Sequence, residues 1–600
     1  MDERKGVGTM GTKSGFILGA LFLALLVAAP PGAPAASSGR TVVSAPEQVD
    51  LEAVHRIKEE GFQRSQVMEN LYALTDANGP RVTNSPGFRS AADWAVKTLK
   101  SWGLSDPRLE TWGRFGRGWD VVHFRAEMTS PAYAVLRGVP RAWSGDTGGP
   151  ARGEVILAPF ATEREDDEIR ADLARYRAQV DRYAETWRGK LRGKYVLVDP
   201  LRKLDLPVKP AVERYDAQGL DKLLAAPEPR PVPPIEWPIE KMPADEEARR
   251  ALSAALPGEI TADYGTRRLA IVDRLNAFLK SEQVLGVIDS DKRGPGGIVF
   301  AERAGSWYSD TPTAPPTIVL ESESYNRLVR LAQHGPAPKV EIDLETRFYD
   351  DNPDAFNVVA EIPGGAKKGE IVMLGAHLDS WHGGTGATDN AAGCAVVLEA
   401  ARILKTLNLP LDRTVRLALW SGEEQGLLGS RGYVKNHFAD PVTMALKPEH
   451  ARLSGYFNLD NGAGKIRGVY LQGNDAMRPV FEAWLAPFRD LGVEAISIRN
   501  TFGTDHKPFD AVGLPAFQFI QDPLDYETRT HHSDMDVADR VPPGDLMQAA
   551  VVMAACVYDA ANRPAMLPRK PLPPPLPPKK PIEGEKTAQT PASSDRSAAN

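Results

Sequence analysis

The sequence predicts an α/β fold in which helices cover both faces of a mainly parallel sheet, together with a β-rich insert. Residues 350–560 alternate short apolar strand-like runs with helical runs, which is typical of parallel sheets built from strand–helix–strand units. Residues 51–103 place apolar side chains at helical spacing. The apolar runs between 130 and 345 are short and of the β type. Because 600 residues exceed the usual length of one domain, we expect two folded units and terminal tails.

The N-terminal segment is typical of an export signal. Basic residues precede an apolar run at 16–29, and proline and alanine residues follow it. This run is shorter than the ~20 residues that a membrane span needs. We therefore predict a signal peptide over 1–36, starting at Met1 or Met10, and a mature periplasmic or extracellular protein without a membrane span. An uncleaved membrane anchor is the alternative.

Composition divides the rest of the chain into a main domain, an insert and a tail. Residues 45–128 and 349–562 are expected to form the main α/β domain, and residues 129–348 the β-rich insert. Within the insert, residues 160–280 are charged and proline-rich, which predicts a helical, partly loose excursion. This excursion either covers a cleft or forms a solvated surface. Residues 563–600 are rich in proline and then in serine and alanine, a composition that cannot bury a core and predicts disorder.

Five side chains of metal-binding type follow one another in the segment predicted to form the main sheet. Each lies at a strand end, a helix start or a loop, and the ligand crevice of an open α/β sheet lies at the carboxyl ends of its strands. Zinc binds imidazole and carboxylate groups, and one tetrahedral zinc ion needs fewer ligands than this set offers. Two adjacent zinc ions also need an anion between them to offset their repulsion. The pattern therefore predicts a hydrolytic site for two Zn²⁺ per chain, with the ligands His377, Asp389, Glu424, Asp460 and His532.

Two more carboxylates lie beside the expected ligands. Glu423 and Glu424 are adjacent and cannot both face the metals from one regular segment, so one can bind metal while the other acts as general base toward water. Asp379, two residues beyond His377, is placed to orient that imidazole through its second nitrogen. Taken singly, such residues have ordinary explanations, because an aspartate before a helical run is most often an N-cap. The metal-site interpretation rests on the order and context of the whole set.

Four motifs together resemble the co-catalytic zinc aminopeptidase and glutamate carboxypeptidase family. The resemblance covers residues 50–125 and 350–560 and is strongest for the plasma glutamate carboxypeptidase (carboxypeptidase Q) branch. It implies the zinc-exopeptidase fold, which is phosphorylase/hydrolase-like, and the insert looks like a protease-associated domain. The motifs are His-Leu-Asp-Ser-Trp at 377–381, Thr-Asp-Asn-Ala-Ala-Gly at 388–393, Ser-Gly-Glu-Glu-Gln-Gly at 421–426 and Gly-Thr-Asp-His at 503–506.

The resemblance also implies a role for each site residue. His532 is preferred over His531 as a ligand because the family ligand directly precedes serine or threonine. Asn390 departs from the family pattern, since many of these aminopeptidases carry a second aspartate there. By resemblance, Asp389 bridges both metals, His377 and Asp460 bind one zinc ion, Glu424 and His532 bind the other, and Glu423 is the general base.

The expected ligands and general base, together with the export signal, predict an exported di-zinc metallo-exopeptidase. We expect a zinc-dependent aminopeptidase that hydrolyses the N-terminal peptide bond of short peptides or dipeptides. An acid-rich cleft can accept a substrate ammonium group, and the motif loops show no cluster of basic residues that could hold a terminal carboxylate. His506 and Arg529 are the candidates for contact with the peptide, although His506 is as consistent with a structural role. Glutamate-carboxypeptidase-type activity is the alternative. A non-catalytic receptor and a single-zinc aminoacyl cyclase are further alternatives on a similar fold.

Net charge bears on whether the protein binds nucleic acid, and the cysteine content bears on disulfide bonds. The formal net charge is −7 and no basic patch is present, so we expect no nucleic-acid partner. Cys394 and Cys556, the only cysteines, lie in apolar helical patterns and are predicted to be buried thiols, with a disulfide between them left open. The resemblance implies a homodimer as one option for the oligomeric state.

Overall fold

The computed structural model describes residues 47–204, 210–226, 236–291, 293, 296–501 and 503–582. The predicted signal peptide, 1–36, and the end of the predicted tail, 583–600, lie outside the described residues.

Within the described residues the chain forms sixteen strands and fourteen α-helices. The strands are β1 (Ser105–Arg114), β2 (Gly118–Ser130), β3 (Ala134–Val135), β4 (Gly138–Pro140), β5 (Ala151–Leu157), β6 (Lys194–Leu197), β7 (Gly286–Asp289), β8 (Thr317–Leu320), β9 (Lys339–Tyr349), β10 (Asp354–Ile362), β11 (Lys367–His377), β12 (Arg413–Trp420), β13 (Leu453–Asn458), β14 (Ile466–Tyr470), β15 (Ala495–Ser497) and β16 (Ala516–Gln521). The helices are α1 (Leu51–Gln63), α2 (Val67–Leu74), α3 (Pro86–Ser101), α4 (Glu163–Ala171), α5 (Leu173–Trp187), α6 (Ala217–Leu224), α7 (Glu246–Ala255), α8 (Gly258–Ser281), α9 (Ser322–His334), α10 (Ala392–Thr406), α11 (Leu428–His437), α12 (Arg478–Leu485), α13 (Lys507–Asp510) and α14 (Pro543–Asn562).

The main sheet has eight strands in the order β1-β10-β12-β11-β13-β16-β14-β15. Its four central strands, β12, β11, β13 and β16, run parallel to one another. Every residue of β12, β13 and β16 is buried. Parallel strands covered on both faces need such unbroken apolar runs. The predicted α/β fold with a mainly parallel sheet is confirmed.

Helices cover this sheet on both faces because alternate residues of each strand point to opposite sides. On one face, Val372 and Leu374 of β11 join a core with α1, α2, α3, α10, α12 and α14. On the other face, Ile371 and Met373 join a smaller core with α11 and α13. Residues 392–404 of α10 are all buried, so this helix lies at the centre of the larger core.

The insert carries a second eight-stranded sheet, in the order β3-β2-β9-β5-β6-β7-β8-β4. β2 and β9 pair antiparallel, from Gly118 with Tyr349 to Ser130 with Lys339, and the chain enters and leaves the insert through this pair. The insert sheet therefore begins at Gly118, before the boundary expected at 129. The sequence identifies β2 as a strand, but strand patterns do not show which of two sheets a strand will join.

The predicted excursion, 160–280, forms α4 to α8 where it is described. Tyr176 and Val180 of α5 pack with Ile271 of α8 in a core that also includes residues of the insert sheet. Residues 205–209 and 227–235 lie outside the described residues. The excursion is thus largely helical where it is described, and it shares a core with the insert sheet.

The described part of the proline-rich tail differs from the disorder predicted for it. Residues 563–582 form no helix or strand, yet they pack against the main domain. Leu567 is only 2% exposed, and the Arg569 guanidinium donates to the carbonyls of His450 and Leu453 at 3.0 and 2.7 Å. Such a composition cannot build its own core, but it can lie on the surface of an existing one.

Both cysteines are buried, free thiols, in agreement with the sequence pattern. The Cys394 thiol donates to the carbonyl of His377 at 2.9 Å. Among the described residues, none of the helices combines the length and the apolar character that crossing a membrane requires.

Candidate metal centre

The candidate metal centre lies at the carboxyl ends of parallel strands of the main sheet. His377 is the last residue of β11, the Glu423–Glu424 pair follows the end of β12, and Asp460 follows the end of β13. Asp389 precedes α10, and His532 lies in the loop after β16. Because neighbouring parallel strands end at one edge, residues far apart in the sequence meet there. The structure brings all five expected ligands together.

Asp389 lies between the two histidines. Its Oδ1 is 3.3 Å from Nε2 of His377, and its Oδ2 is 3.4 Å from Nε2 of His532. One carboxylate therefore faces both imidazoles, each with a different oxygen. This is the arrangement expected of an anion shared by two cations.

Asp536 and Gly386 hold the loop that carries Asp389. The Asp536 carboxylate accepts hydrogen bonds from the N–H groups of Thr388 and Asp389 at 2.5 and 3.2 Å. Gly386 has a φ of 68°, and a Cβ there would lie 2.3 Å from the Cβ of Ser380, so this position requires glycine. Contacts within the protein thus hold the backbone of the Asp389 loop.

Asn390 has a structural role that an aspartate could not fill. Its Oδ1 accepts from the N–H of Gly393 at 3.0 Å, and its Nδ2 donates to the carbonyl of Leu459 at 2.9 Å. A carboxylate has no N–H to donate. The amide therefore links the Asp389 loop to the residue before Asp460.

The His377 half of the centre takes its contacts from the main domain. Nε2 of His377 is 3.2 Å from Oδ1 of Asp460, and Nδ1 is 2.9 Å from the backbone oxygen of Asp379. The Asp379 carboxylate is farther away, with Oδ1 3.8 Å from Nδ1. The backbone carbonyl, rather than the expected carboxylate, therefore makes the hydrogen bond that orients this imidazole.

The Asp379 carboxylate instead positions the glutamate pair. It accepts from the N–H groups of Glu423 and Glu424 at 3.2 and 3.3 Å, and from the hydroxyl of Thr83 at 3.0 Å. The side chain of Glu423 lines the adjoining cavity and makes no hydrogen bond to a described residue. Asp379 thus acts on the two glutamates through their backbone.

The His532 half takes one contact from the insert. Nε2 of His532 is 3.1 Å from Oε2 of Glu424, and Nδ1 is 2.9 Å from Oε1 of Glu302. Glu302 lies between β7 and β8, and the N–H of its neighbour Ala301 donates to the carbonyl of His532 at 2.9 Å. The insert therefore supports a metal-binding loop of the main domain directly.

His531 lies beside His532 but farther from the shared carboxylate. Its Nε2 is 3.8 Å from Oδ2 of Asp389, against 3.4 Å for His532. Its ring packs between Tyr526 and His532, with centroid distances of 4.7 and 3.9 Å. The distances favour His532 as the ligand of the pair.

The donor set fits divalent cations. Asp389 Oδ2 and Glu424 Oε1 are buried and accept no hydrogen bond from any described residue. Burial, with repulsion from neighbouring carboxylates, raises the pKa of Glu424 to about 7 and that of Glu423 well above its usual range. Buried carboxylates that face one another are costly unless positive charge offsets them. Bound metal ions would supply that charge and use the free oxygens.

A cavity of about 1230 Å³ opens onto the metal centre, and the insert forms part of its wall. Residues 253–259, at the junction of α7 and α8, line it together with Thr261 and Ala262, and so does the proline-rich tail. Nζ of Lys507 donates to the carbonyl of Ser253 at 2.7 Å and ties α7 to the main domain. Of the predicted excursion, α7, α8 and their junction contribute to the lining of this cavity. The metal-centre residues in the lining are Asp389, Glu423, Glu424, Asp460 and His532.

Neither expected substrate contact lies at the cavity. His506 is fully buried and is not among the described lining residues, although Thr504 and Lys507 on either side are. Arg529 is also not among the described residues that line the cavity. Their place in motif loops indicated nearness to the site but not the direction of their side chains.

Sequence patterns do not reveal three residues at this site. Asp536 and Glu302 hold the ligand loops, as described above. Arg303 lines the cavity, and its guanidinium lies over the face of Trp307 at 5.7 Å, with the charges of Glu302 and Asp273 nearby. Asp536 lies in a short acidic run after His532, which is a weak signal. No sequence signal connects the other two residues, which belong to the insert, with the metal centre.

The part of the chain that carries most of the candidate metal centre is similar to known proteins. Residues 357–557 match the family model described as Peptidase family M28. Carboxypeptidase Q of Mus musculus is 31% identical over 262 residues, which cover 44% of this chain and 53% of that protein. Aminopeptidase YwaD of Bacillus subtilis is 31% identical over 219 residues, which cover 35% of this chain and 46% of that protein. The chain thus spans about half the length of these curated relatives.

A solved structure is similar to this chain well beyond residues 357–557. The peptidase M28 precursor from Shewanella amazonensis has a TM-score of 0.58 and 23% sequence identity to this chain, and the match covers 87% of this chain and 98% of the other. At this identity the likeness shows the fold, which agrees with the one predicted from the sequence.

Proposed function

Because residues 357–557 match the model of peptidase family M28, we propose that the protein is a zinc-dependent metallo-exopeptidase. The observation that carries the proposal is the position of Asp389, with one oxygen 3.3 Å from His377 and the other 3.4 Å from His532. Each histidine also faces a second carboxylate, at 3.2 Å for Asp460 and 3.1 Å for Glu424. Two zinc ions per chain would use these two sets of ligands and share Asp389.

The bound ions would supply Lewis acidity toward a peptide carbonyl and toward water. Glu423 would act as the general base, because its carboxylate lines the cavity and Asp379 holds its N–H at 3.2 Å. The carboxylate takes a proton from the attacking water and passes it to the nitrogen of the leaving amine.

The two imidazoles are oriented for metal binding by their Nδ1 atoms. Nδ1–H of His377 donates to the carbonyl of Asp379, and Nδ1–H of His532 donates to Glu302, each at 2.9 Å. These bonds leave the Nε2 lone pair of each ring facing the carboxylates of the centre. Neither ring needs to turn before it binds a metal ion.

We further propose that the enzyme releases the N-terminal residue of short peptides, including dipeptides. Acidic side chains form the cavity wall at the metal centre, so a substrate α-ammonium group would find negative charge beside the scissile bond. The names of the curated relatives include both an aminopeptidase and a carboxypeptidase, so they do not decide the direction.

One observation favours the carboxypeptidase-type alternative. Arg303 lines the same cavity without an ion pair in the described part of the chain, and burial lowers its pKa. Glu302 and Asp273 act on this guanidinium from nearby, but neither pairs with it directly, so it can still bind a carboxylate. This group could hold the free carboxyl end of a peptide, or the far end of a dipeptide that is cleaved from its N-terminus.

Trialanine, N-acetyl-trialanine and trialanine amide, given to the zinc-loaded full-length protein, separate these directions. We expect cleavage of trialanine and its amide but not of the acetylated peptide. Cleavage of the acetylated peptide with no cleavage of the amide would establish the carboxypeptidase alternative. Failure to cleave any of the three would contradict the proposed function.

A further inference from the structure

The proline-rich tail forms a wall of the substrate cavity. Its segment 570–580, which we call the proline strap, contributes Lys570, Pro571 and the run 573–577 to the cavity lining. Composition alone suggests a solvated tail, and neither the metal centre nor the general base needs this segment. Its position at the cavity is therefore an independent feature of the chain.

The strap is anchored at its start to the main domain. Nζ of Lys570 donates to the carbonyl of Gln472 at 2.7 Å and pairs with Asp510 at 2.5 Å. Just before it, the N–H of the buried Leu567 donates to the hydroxyl of Ser454 at 3.2 Å. This end is thus tied to the loop after β14 and to the region of β13.

The middle and the far end of the strap are tied to both parts of the molecule. The N–H of Leu576 donates to the carbonyl of Val442 in the main domain at 2.9 Å. Nζ of Lys579 pairs with Asp263 of α8 in the insert at 2.6 Å, and the N–H of Lys580 donates to the carbonyl of Trp237 at 2.8 Å. The strap therefore crosses from the main domain to the insert along the cavity.

Proline makes this crossing segment stiff. A polyproline helix has fixed φ angles and no internal hydrogen bonds, and it rises about 3.1 Å per residue, so the strap can span about 30 Å. Little conformational entropy is lost in holding such a segment, so a few contacts suffice to keep it in place. Its proline residues also have no N–H group to offer to a bound peptide.

We propose that the proline strap limits the length of peptide that the cavity accepts. This inference rests on the proposed exopeptidase function. The strap and the α7–α8 junction both form part of the cavity wall, so together they bound the space beyond the metal centre. On this proposal a peptide long enough to reach the strap has to displace it and break its contacts with Val442 and Asp263, whereas a dipeptide held at the metal centre does not. The strap is thus a specificity-determining element and takes no part in the chemistry.

The test compares two truncated chains with the full-length protein, all loaded with zinc. One ends at Arg569 and lacks the strap, and its matched control ends at Ile582 and keeps it. The readout is the ratio of kcat/KM for hexaalanine to that for dialanine. We expect the ratio to rise about tenfold or more in the shorter chain and to stay unchanged in the control. An unchanged ratio in the shorter chain would overturn the proposal.

A pair of single substitutions decides the question if the shorter chain does not fold. Leu576→Pro removes the N–H that bonds to Val442, while Leu572→Pro makes the same change in the same segment at an exposed residue outside the cavity lining. We expect Leu576→Pro to raise the hexaalanine-to-dialanine ratio and Leu572→Pro to leave it unchanged. Equal ratios in both variants would overturn the proposal. Inability of the full-length chain to cleave either peptide would instead count against the exopeptidase function itself.

Discussion

The two halves of the metal centre differ in the source of the contact that orients their histidine. His377 is held at Nδ1 by a backbone carbonyl two residues away in the main domain, and its side chain is 1% exposed. His532 is held at Nδ1 by the carboxylate of Glu302 from the insert, and its side chain is 17% exposed. One half is therefore built by the main sheet alone, whereas the other depends on the docking of a second sheet. Substitutions should affect the two halves separately.

The largest difference is expected between the effects of substituting two adjacent residues, Glu423 and Glu424. Glu423→Gln should keep both zinc ions and reduce kcat by about 10²–10⁴-fold, because an amide cannot accept the proton of water. Glu424→Gln should lose zinc from the His532 half first, because Glu424 faces His532 at 3.1 Å. Zinc content by elemental analysis, measured beside kcat for each variant, checks both expectations. The reverse pattern would exchange the roles of base and ligand.

Glu302 offers a way to weaken the His532 half without touching a ligand. Glu302→Gln should lower the affinity of one zinc site by about 10–100-fold and leave the other unchanged, as is usual when the hydrogen-bond partner of a metal-binding histidine is removed. Titration of the metal-free protein with zinc in competition with a chromophoric chelator measures both affinities without relying on activity. Glu345→Gln, at a mostly exposed glutamate of the same insert, is the control. Equal loss at both sites would show that the halves are not independent.

Part of this asymmetry is visible in the sequence and part of it is not. The strand-end positions of His377, Glu424 and Asp460 predict a shared edge, since parallel strands place their carboxyl ends together. Glu302 cannot be predicted in the same way, because its contact depends on how the insert docks. The direction of a loop side chain is also set by packing, which is why His506 and Arg529 do not line the cavity among the described residues.

The tail shows a second limit of prediction from composition. Low apolar content indicates that residues 563–582 cannot form their own core. It does not reveal that the hydrophobic surface and free carbonyls of the main domain can hold them, as Leu567 and Arg569 illustrate. The main sheet is more predictable because its strands must be apolar along their whole length when both faces are covered.

Arg303, also from the insert, should affect substrate binding rather than metal binding. If it holds the carboxylate of a dipeptide, Arg303→Gln should raise KM for dialanine about tenfold, the effect expected for loss of one charged hydrogen bond. KM for dialanine amide should not change, because the amide carries no negative charge. Steady-state kinetics on this pair of substrates, with zinc content confirmed, provides the measurement. Equal increases for both substrates would contradict a role in carboxylate recognition.

The smallest expected effect is on stability and concerns His437. Its imidazole lies outside the metal centre, between two carboxylates. Nε2 of His437 is 2.6 Å from Glu110, and Nδ1 is 2.9 Å from Glu449, whose other oxygen pairs with Arg416. Burial lowers the pKa of His437, but the hydrogen bonds and charges of both glutamates outweigh this effect and raise it to about 9. Here both ring nitrogens carry protons, in contrast to His377 and His532, whose Nε2 atoms are left for metal.

A raised pKa in the folded state has a defined consequence for stability. The charged His437 stabilises the fold fully below its ordinary pKa of about 6.5, and this contribution is lost as the pH rises through about 9. His437→Gln should therefore destabilise the protein at pH 6 and have less effect at pH 10. Urea unfolding of both proteins at the two pH values, at equal zinc loading, gives the comparison. The same destabilisation at both values would show that charge on His437 does not stabilise the fold.

The central claim is that Asp389 is shared by two metal sites. Elemental analysis of the zinc-loaded wild-type protein and of Asp389→Asn, each at known protein concentration, tests it most directly. We predict two zinc ions per chain in the wild-type protein and loss of zinc from both sites in the variant, because the shared anion is weakened. A wild-type protein that is fully active with one zinc ion, or a variant that keeps one site at full affinity, would contradict the account.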